Sequence, residues 1–207
     1  MQGVIYVEKG RYKNALKVLE QVEPKALSRP HQTDYSFYRG YAYLMMQEYQ
    51  RASIYFNQLS KAENRYTTRG TYYYAYCMYK MQKYEKALPA LQRLENNEEY
   101  QKTIPYYLVQ IYYAQGNYDE VFDEISEIKD CCRGAKLKVI LETGALGSIE
   151  NIYKAAILAM EAGADFIKTS TGKDNPTNLY HVYAMCKAID AFNKQTQTKV
   201  GIKVAGG

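Results

Sequence analysis

The chain lacks long hydrophobic runs, tryptophan and any concentrated excess of one charge. No apolar stretch in its 207 residues approaches the roughly 20 residues that a membrane-spanning helix needs, so we expect no membrane insertion. Its first residues, MQGVIYVEKGRY, do not combine a basic segment, an apolar segment and a small-residue cleavage site. We therefore predict no secretory signal and a cytoplasmic location.

Cysteine and histidine are scarce, and their spacing does not suit metal binding. The two histidines, His31 and His181, stand far apart, and the four cysteines form no CxxC pair. The cysteines are Cys77, Cys131, Cys132 and Cys186. This pattern predicts free thiols and no metal site.

The charged residues of the two signs are interspersed along the chain. The 27 basic and 22 acidic residues give a net charge of +5, but no block of five like charges occurs. Nucleic-acid-binding proteins concentrate their basic residues in a patch or stripe, which this sequence does not show. With 47% hydrophobic and 24% charged residues, the composition predicts a folded globular protein without a nucleic-acid partner.

Tyrosine and glycine are distributed unevenly along the chain. Residues 1–132 contain 21 of the 24 tyrosines and 5 of the 13 glycines, whereas residues 133–207 contain 3 tyrosines and 8 glycines. Two segments of different architecture are the simplest explanation of this division.

The first segment is an internal repeat. Four stretches align in one register: GRYKNALKVLEQV, QEYQRASIYFNQL, QKYEKALPALQRL and GNYDEVFDEISEI. Each has a tyrosine (Tyr12, Tyr49, Tyr84, Tyr118), then a small residue three positions later (Ala15, Ala52, Ala87, Val121), then a large apolar residue (Leu19, Phe56, Leu91, Ile125). This is one helical stripe with small residues where two helices approach closely. Further apolar helical stretches lie upstream, at 35–46, 72–81 and 104–114.

The sequence therefore predicts a pair of helices in each repeat. The first tyrosines of successive aligned stretches are 37, 35 and 34 residues apart. The period and the pattern resemble the tetratricopeptide repeat (TPR) family over residues 1–130. The resemblance implies an α-solenoid whose concave face binds a peptide or protein partner. Because the first repeat begins inside a helix, at Met1, we expect the natural start of the array to lie outside this sequence.

The tyrosines and arginines of the repeats each have two interpretations. The tyrosines, including the run 72–74, either pack between repeats or line a partner groove, and packing is the commoner use of such rings. Arg39, Arg65 and Arg69 either line a groove for an acidic partner or lie on a solvated face.

The second segment alternates strands and helices. The sequence predicts strands at 136–142, 165–169 and 199–204, a helix at 149–162 and a helix at 176–193. Ser148 is a candidate N-cap, Gly163 a candidate helix stop, and Asn175-Pro176 a candidate helix start. Such short connections indicate parallel β/α winding, in which chemistry collects at the carboxyl ends of the strands.

Two lysines lie at those carboxyl ends. Strand alternation places the side chains of Lys168 and Lys203 toward one interior. A lysine buried beside another cation has its pKa lowered toward neutrality, which frees its amine to attack a carbonyl and form a Schiff base. The alternative is two strand-end lysines in solvent that share no chemistry.

The motifs at the strand ends are ETG (142–144), AGADFIKTSTGK (162–173) and VGIKVAGG (200–207). Their order and spacing closely resemble the deoxyribose-phosphate aldolase family, whose members are class I aldolases on a TIM barrel. Residues 133–207 correspond to strands five to seven of the eight in that barrel. The family cleaves 2-deoxy-D-ribose 5-phosphate reversibly to glyceraldehyde 3-phosphate and acetaldehyde, with no metal and no organic cofactor.

The resemblance assigns roles to individual residues. It implies that Lys168 is the Schiff-base lysine and that Lys203 is the lysine that perturbs it. It further implies that Lys173, Gly172, Gly206 and Gly207 hold the substrate phosphate, as backbone amide nests do for anions.

The sequence also departs from this family. Helical repeats stand where the family has its first four strands, one of which carries an aspartate that shares in proton transfer, and the sequence stops before strand eight. We expect a chimera of class α plus α/β: a TPR-like solenoid at 1–130, a junction at 131–135 and a partial barrel at 136–207. Two functions remain open, an aldolase of little or no activity or a TPR interaction module with a non-catalytic aldolase remnant.

Overall fold

The computed structural model describes residues 2–172 and 177–205 and divides into two compact units, Met1–Ile111 and Tyr112–Gly207. The first unit is helical, and the described residues before Lys138 contain no strand. Its helices are α1 (Gln2–Glu8), α2 (Tyr12–Leu19), α3 (Arg29–Met45), α4 (Tyr49–Lys61), α5 (Thr67–Lys80), α6 (Tyr84–Gln92) and α7 (Ile104–Gln115), the last of which ends in the second unit. The predicted helix pairs are therefore confirmed.

The small residues of the repeat lie where neighbouring helices contact each other. Ala15, Ala52 and Ala87 are completely buried. Two glycines on the preceding helices make similarly close contacts, because a Cβ on Gly40 would lie 3.0 Å from Tyr55 Cβ and one on Gly70 would lie 2.8 Å from Leu59 Cβ. A larger side chain at these positions would push the helices apart.

Aromatic rings fill much of the space between the helices of this unit. Phe37 of α3 stacks on Tyr66 with ring centroids 4.1 Å apart, and Tyr72 of α5 stacks on Tyr100 at 4.4 Å. Tyr73 lies 5.0 Å from the ring of Phe56. The packing interpretation therefore holds for these tyrosines, and each such ring pair adds to the apolar area that it buries.

The second unit is an α/β arrangement with a small parallel sheet. Its elements are α8 (Tyr118–Cys131), β1 (Lys138–Ile140), α9 (Ile149–Glu161), β2 (Phe166–Lys168), α10 (Leu179–Thr196) and β3 (Gly201–Lys203). The strands are all parallel and lie in the order β1-β2-β3. Ile167 at the centre of β2 is completely buried, as are Ala156 of α9 and Ala188 of α10, so both helices cover one face of the sheet.

The start of α10 differs from its prediction. The helix begins at Leu179 and not near residue 176, because the side chain of Asn178 accepts a hydrogen bond from the His181 amide at 3.0 Å and caps the helix there. Asn175 and Pro176 lie outside the described residues. The helix also continues past Asn193 to Thr196, and Gln197 ends it in the left-handed conformation with φ of 57°.

The junction predicted at 131–135 stays a prediction about where two sequence families meet. By its contacts, α8 belongs to the second unit, since that unit begins at Tyr112. Helix α8 contacts α9, and Val121 and Ile125 on α8 are buried.

One carboxylate holds together the end of the sheet where its strands begin. Asp165, just before β2, accepts hydrogen bonds from Lys129 on α8, from Lys136 at 2.9 Å and from the Leu137 amide at 2.8 Å. Its backbone amide donates to the Leu137 carbonyl, and its carbonyl accepts from the Gly201 amide. The lysines and the Leu137 amide hold the pKa of Asp165 well below its usual range.

We expect Asp165→Asn to destabilise the second unit at pH 7 by about 1–3 kcal/mol, the loss that follows when hydrogen bonds to a charged group are removed. Because the folded-state pKa of Asp165 is depressed, this stabilisation is fully present above the unfolded-state pKa of roughly 4. It is lost progressively as the pH falls from there toward the much lower folded-state pKa. Urea unfolding at pH 7 and pH 2, followed by the NMR intensity of the Ile167 amide, measures the difference.

The matched control for this prediction is Asp190→Asn on α10, whose carboxylate makes an exposed pair with Lys194. This control should leave unfolding nearly unchanged. An Asp165→Asn effect that is equally large at both pH values would contradict the assigned role of the ionised carboxylate.

Candidate functional site

The two lysines singled out in the sequence are direct neighbours in the sheet. Lys168 ends β2 and Lys203 ends β3, and the two residues are paired in the parallel register. Paired residues on adjacent strands project to the same face, so the predicted adjacency is confirmed, whereas the roles of the lysines stay predictions. This face is opposite the one on which Ile167 is buried. Lys168 is half-buried and Lys203 is exposed.

An aromatic ring occupies the same face one step earlier along both strands. Phe166 lies two residues before Lys168 and pairs with Gly201, which lies two residues before Lys203. A Cβ on Gly201 would come within 2.3 Å of the Phe166 ring, so the ring lies directly over this glycine. The Phe166 ring therefore packs across the sheet surface below both lysines, and 40% of the residue remains exposed.

A buried carboxylate stands beyond the end of β1. Glu142 is 7% exposed, and both of its carboxylate oxygens accept from the Thr171 amide, at 3.2 and 3.0 Å. Its backbone is left-handed, with φ of 51° and ψ of 56°, which is uncommon for a residue other than glycine. The hydroxyl of the next residue, Thr143, is buried and has no hydrogen-bond partner among the described residues. This end of the sheet is therefore rich in buried polar groups.

The residues that follow β2 hold the segment after β3. The Thr169 hydroxyl accepts from the Ala205 amide at 2.9 Å, and the Ser170 hydroxyl donates to the Ala205 carbonyl at 3.3 Å. Thr177 in turn donates to the Ser170 hydroxyl at 3.1 Å. Side-chain hydrogen bonds thus continue the strand pairing of β2 and β3 beyond the ends of the strands.

Of the four residues assigned to phosphate binding, the structure describes one. Gly172 has φ of 83°, a left-handed conformation that favours glycine. Lys173, Gly206 and Gly207 lie outside the described residues. The assignment of all four therefore stays a prediction.

Sequence reasoning placed Glu142 and Thr169 at strand ends but gave neither a role. Both act on backbone groups that lie 29 or more residues away, at Thr171 and Ala205. The sequence did contain one signal for Glu142, because its carboxylate directly follows the apolar run VIL. A carboxylate that is buried next to such a run requires a hydrogen-bond partner.

The three arginines singled out in the sequence each have an acidic neighbour. Arg39 lies 3.7 Å from Glu20 and within 6 Å of three tyrosine rings, at Tyr35, Tyr43 and Tyr55. Arg65 bonds Asp34, and Arg69 lies 3.7 Å from Glu99. These intramolecular pairs oppose the interpretation that the arginines form a free basic surface for an acidic partner, although the Arg65 and Arg69 side chains are exposed.

The described residues offer no group of three or more histidine, cysteine, aspartate or glutamate side chains that could hold a metal ion. The four cysteines are unpaired with one another, and burial raises the pKa of the Cys77 thiol to about 12. In the part of the chain that the structure describes, no helix has the length and apolar character to cross a membrane.

The strand-end motifs and the helix pairs both have counterparts in known families. Residues 107–207 match the DeoC/LacD family aldolase model. Residues 71–98 match the tetratricopeptide repeat. The aldolase match includes all of the second unit, so the comparison supports an aldolase lineage for this part of the chain.

Curated relatives support this lineage. The chain is 47% identical over 93 residues to deoxyribose-phosphate aldolase of Mus musculus and 48% identical over 93 residues to that of Bos taurus. Each match covers 44% of this chain and 29% of the relative. Deoxyribose-phosphate aldolase of Metamycoplasma hominis is 40% identical over 95 residues, or 46% of this chain and 41% of the relative. The chain thus spans less than half the length of these curated relatives.

Solved structures show the helical repeat fold. A MamA double mutant aligns with a TM-score of 0.55 and 13% identity over 95% of this chain and 93% of its own. A putative kinesin light chain with TPR-like repeats from Podosopora anserina aligns with a TM-score of 0.55 and 12% identity over 95% and 94%. At these identities the likeness concerns fold alone.

The contact of Phe166 with Gly201 generates a stability prediction. Gly201→Ala should destabilise the second unit by about 1–3 kcal/mol, the usual cost of forcing an extra methyl group into a packed position. In a Phe166→Ala background the same change should cost little, because the ring that the methyl group meets is gone. A double-mutant cycle by urea unfolding measures the coupling, and an equal cost in both backgrounds would contradict the contact.

Proposed function

We propose that the second unit is a class I aldolase unit that forms a Schiff base between Lys168 and an aldehyde. The observation that carries this proposal is the direct pairing of Lys168 with Lys203 on one face, at the carboxyl ends of parallel strands. In β/α folds this end of the sheet is where catalytic residues collect. The relatives named deoxyribose-phosphate aldolase support 2-deoxy-D-ribose 5-phosphate as the substrate.

The proposed chemistry begins with the lysine amine. Lys168 Nζ attacks the carbonyl carbon of the open-chain sugar, and loss of water from the resulting carbinolamine gives a protonated imine. As the C3 hydroxyl loses its proton to a water molecule, the bond between C2 and C3 breaks and glyceraldehyde 3-phosphate is released. The electron pair of that bond forms the C=C bond of an enamine, which neutralises the imine nitrogen and leaves the two-carbon fragment attached to Lys168. Protonation and hydrolysis of the enamine release acetaldehyde and restore the amine. Lys203 stands beside Lys168 in the perturbing role, and the proposal needs no metal and no organic cofactor.

The phosphate of the substrate would be held after β2 and β3. The proposal keeps Lys173, Gly172, Gly206 and Gly207 in this role. The left-handed backbone of Gly172 supports it, because alternating backbone conformations turn successive amides toward an anion.

We further propose that turnover is slow. The described sheet has three strands, and the face that carries the lysines is partly open, since Phe166 is 40% exposed and Lys203 is exposed. A closed barrel of eight strands excludes water from this interior. The proton-transfer aspartate of the family also has no counterpart, and general acid–base groups typically contribute about 10²–10⁴-fold.

An alternative function is protein binding by the helical repeats. A groove of about 320 Å³ in the first unit is lined by Tyr41, Leu44, Met45, Gln47, Tyr49, Tyr72, Tyr73 and Tyr76. Met45 is 45% exposed there, and tyrosine suits such grooves because its ring is apolar and its hydroxyl finds a polar partner. In this alternative the chain is a TPR module that binds a peptide or protein, and the aldolase segment has no catalytic role. For either function we propose a cytoplasmic location and no nucleic-acid or membrane partner.

Borohydride reduction in the presence of acetaldehyde tests the Schiff base. The hydride converts the imine to a stable secondary amine, so intact mass should increase by one ethyl group and peptide mapping should place it on Lys168. Lys168→Leu should abolish this modification, whereas Lys187→Leu, a change of an exposed lysine on α10, should leave it intact. Labelling that is spread evenly over surface lysines would favour the binding module.

A coupled assay of retro-aldol cleavage tests the slow turnover. We expect any Lys168-dependent turnover of 2-deoxy-D-ribose 5-phosphate to lie well below the roughly 10 s⁻¹ that is typical of enzymes. The Lys168→Leu protein supplies the background rate. Turnover within tenfold of that typical value would show that three strands are sufficient or that another chain completes the site.

A further inference from the structure

We propose that Glu142 is a positioning residue that fixes the loop Ser170–Gly172 for the phosphate of the substrate. The inference rests on the proposed function, because the phosphate site belongs to it. Glu142 comes from the end of β1, a different strand from those that carry the two lysines and the phosphate-binding residues.

Two features of Glu142 cost free energy, which contacts with its surroundings must offset. Its carboxylate is buried, with 7% of the residue exposed, and burial of a carboxylate is costly without strong hydrogen bonds. Its backbone is also left-handed, with φ of 51°. Strained residues of this kind persist where the local structure over-determines them, and they concentrate at ligand sites.

The contact that offsets this cost joins Glu142 to the loop after β2. Strand pairing between β1 and β2 continues through the Leu141 amide to the Lys168 carbonyl at 2.9 Å and the Thr143 amide to the Thr169 carbonyl at 2.8 Å. Beyond these two hydrogen bonds the loop leaves the sheet. There the carboxylate of Glu142 accepts a hydrogen bond from the Thr171 amide. The two distances, 3.2 and 3.0 Å, are ordinary for a hydrogen bond, and the negative charge of the acceptor strengthens the contact relative to one between neutral groups.

This bond determines which amides of the loop remain for a ligand. Because the Thr171 amide donates to Glu142, it does not contribute to anion binding, and the next amide, that of Gly172, follows in a left-handed turn. Glu142 therefore fixes the conformation from which the Gly172 amide is presented. A carboxylate would repel a phosphate that it faced directly, so its benefit to binding comes through the loop.

The test compares phosphorylated and unphosphorylated aldehydes in borohydride trapping on Lys168. In Glu142→Ala, half-saturation by 2-deoxy-D-ribose 5-phosphate should require about tenfold more aldehyde, the effect of losing one hydrogen bond to a charged group. Half-saturation by 2-deoxy-D-ribose should stay the same. Glu142→Gln keeps an acceptor oxygen for the Thr171 amide, so it should restore most of the preference for the phosphorylated aldehyde. Glu127→Ala, an exposed change on α8, is the matched control.

Several outcomes would overturn the inference. Equal losses for both aldehydes in Glu142→Ala would show a general structural role, and tighter binding of the phosphorylated aldehyde in Glu142→Gln would show that the carboxylate only repels the phosphate. An unchanged preference in Glu142→Ala would show that the loop does not depend on Glu142.

A titration with inorganic phosphate separates this inference from the proposed function. If the unaltered protein traps no aldehyde on Lys168, the Schiff-base function fails, but phosphate should still shift the NMR signal of the Gly172 amide. That shift should require about tenfold more phosphate in Glu142→Ala. Absence of the shift in the unaltered protein, or the same titration curve in both proteins, would overturn the role of Glu142.

Discussion

The carboxylate of Asp165 is the interaction on which the second unit depends. It joins Lys129 of α8 to Lys136 and the Leu137 amide before β1, and it does so from the first position before β2. Its own carbonyl accepts from Gly201, the first residue of β3. Three strands of three residues each contain few ladder hydrogen bonds, so this residue supplies much of what sets their relative register. A register shift of one residue would move Lys168 to the opposite face of the sheet.

The two ends of the sheet therefore have different tasks. At the end where the strands begin, the Asp165 contacts are ion pairs and backbone bonds that serve packing and register. At the opposite end, Glu142 and Thr169 act on loop amides next to the lysines. The carboxylates at the two ends are distinguished by their partners. Asp165 accepts from two lysine ammonium groups and the Leu137 amide, whereas Glu142 accepts from a single loop amide.

Periodic features of the fold could be predicted from the sequence, and features that depend on one distant hydrogen bond could not. The helical repeats follow from a stripe that ends in Leu19, Phe56 and Leu91, all of which are buried, because periodicity reports burial directly. The pairing of Lys168 with Lys203 followed from strand alternation and the parallel crossover. The predicted start of α10 was wrong because local sequence rules do not distinguish the cap at Asn178 from the earlier pair Asn175-Pro176.

The site shows the same division. The lysines could be predicted because they lie in strands, whereas the contact of Glu142 with Thr171 joins residues 29 positions apart and leaves no local pattern. Arg39 of the repeats shows the converse case. The sequence left open whether this arginine lines a partner groove or lies on a solvated face, and in the structure Glu20 and tyrosine rings surround it. Side-chain pairing across helices requires the packed geometry.

The tyrosine-rich packing of the repeats has an optical consequence. With no tryptophan in the chain, ultraviolet absorption and emission come from tyrosine, and most of the 24 tyrosines lie in the helical segment. Many of these rings lie close enough for excitation energy to pass between them, as at Tyr72 and Tyr100. Burial and the nearby Asp34 also raise the pKa of Tyr66 to about 12, so its phenol stays protonated in mildly alkaline solution. Tyrosine emission is thus chiefly a probe of the first unit, which contains 18 of the 24 tyrosines.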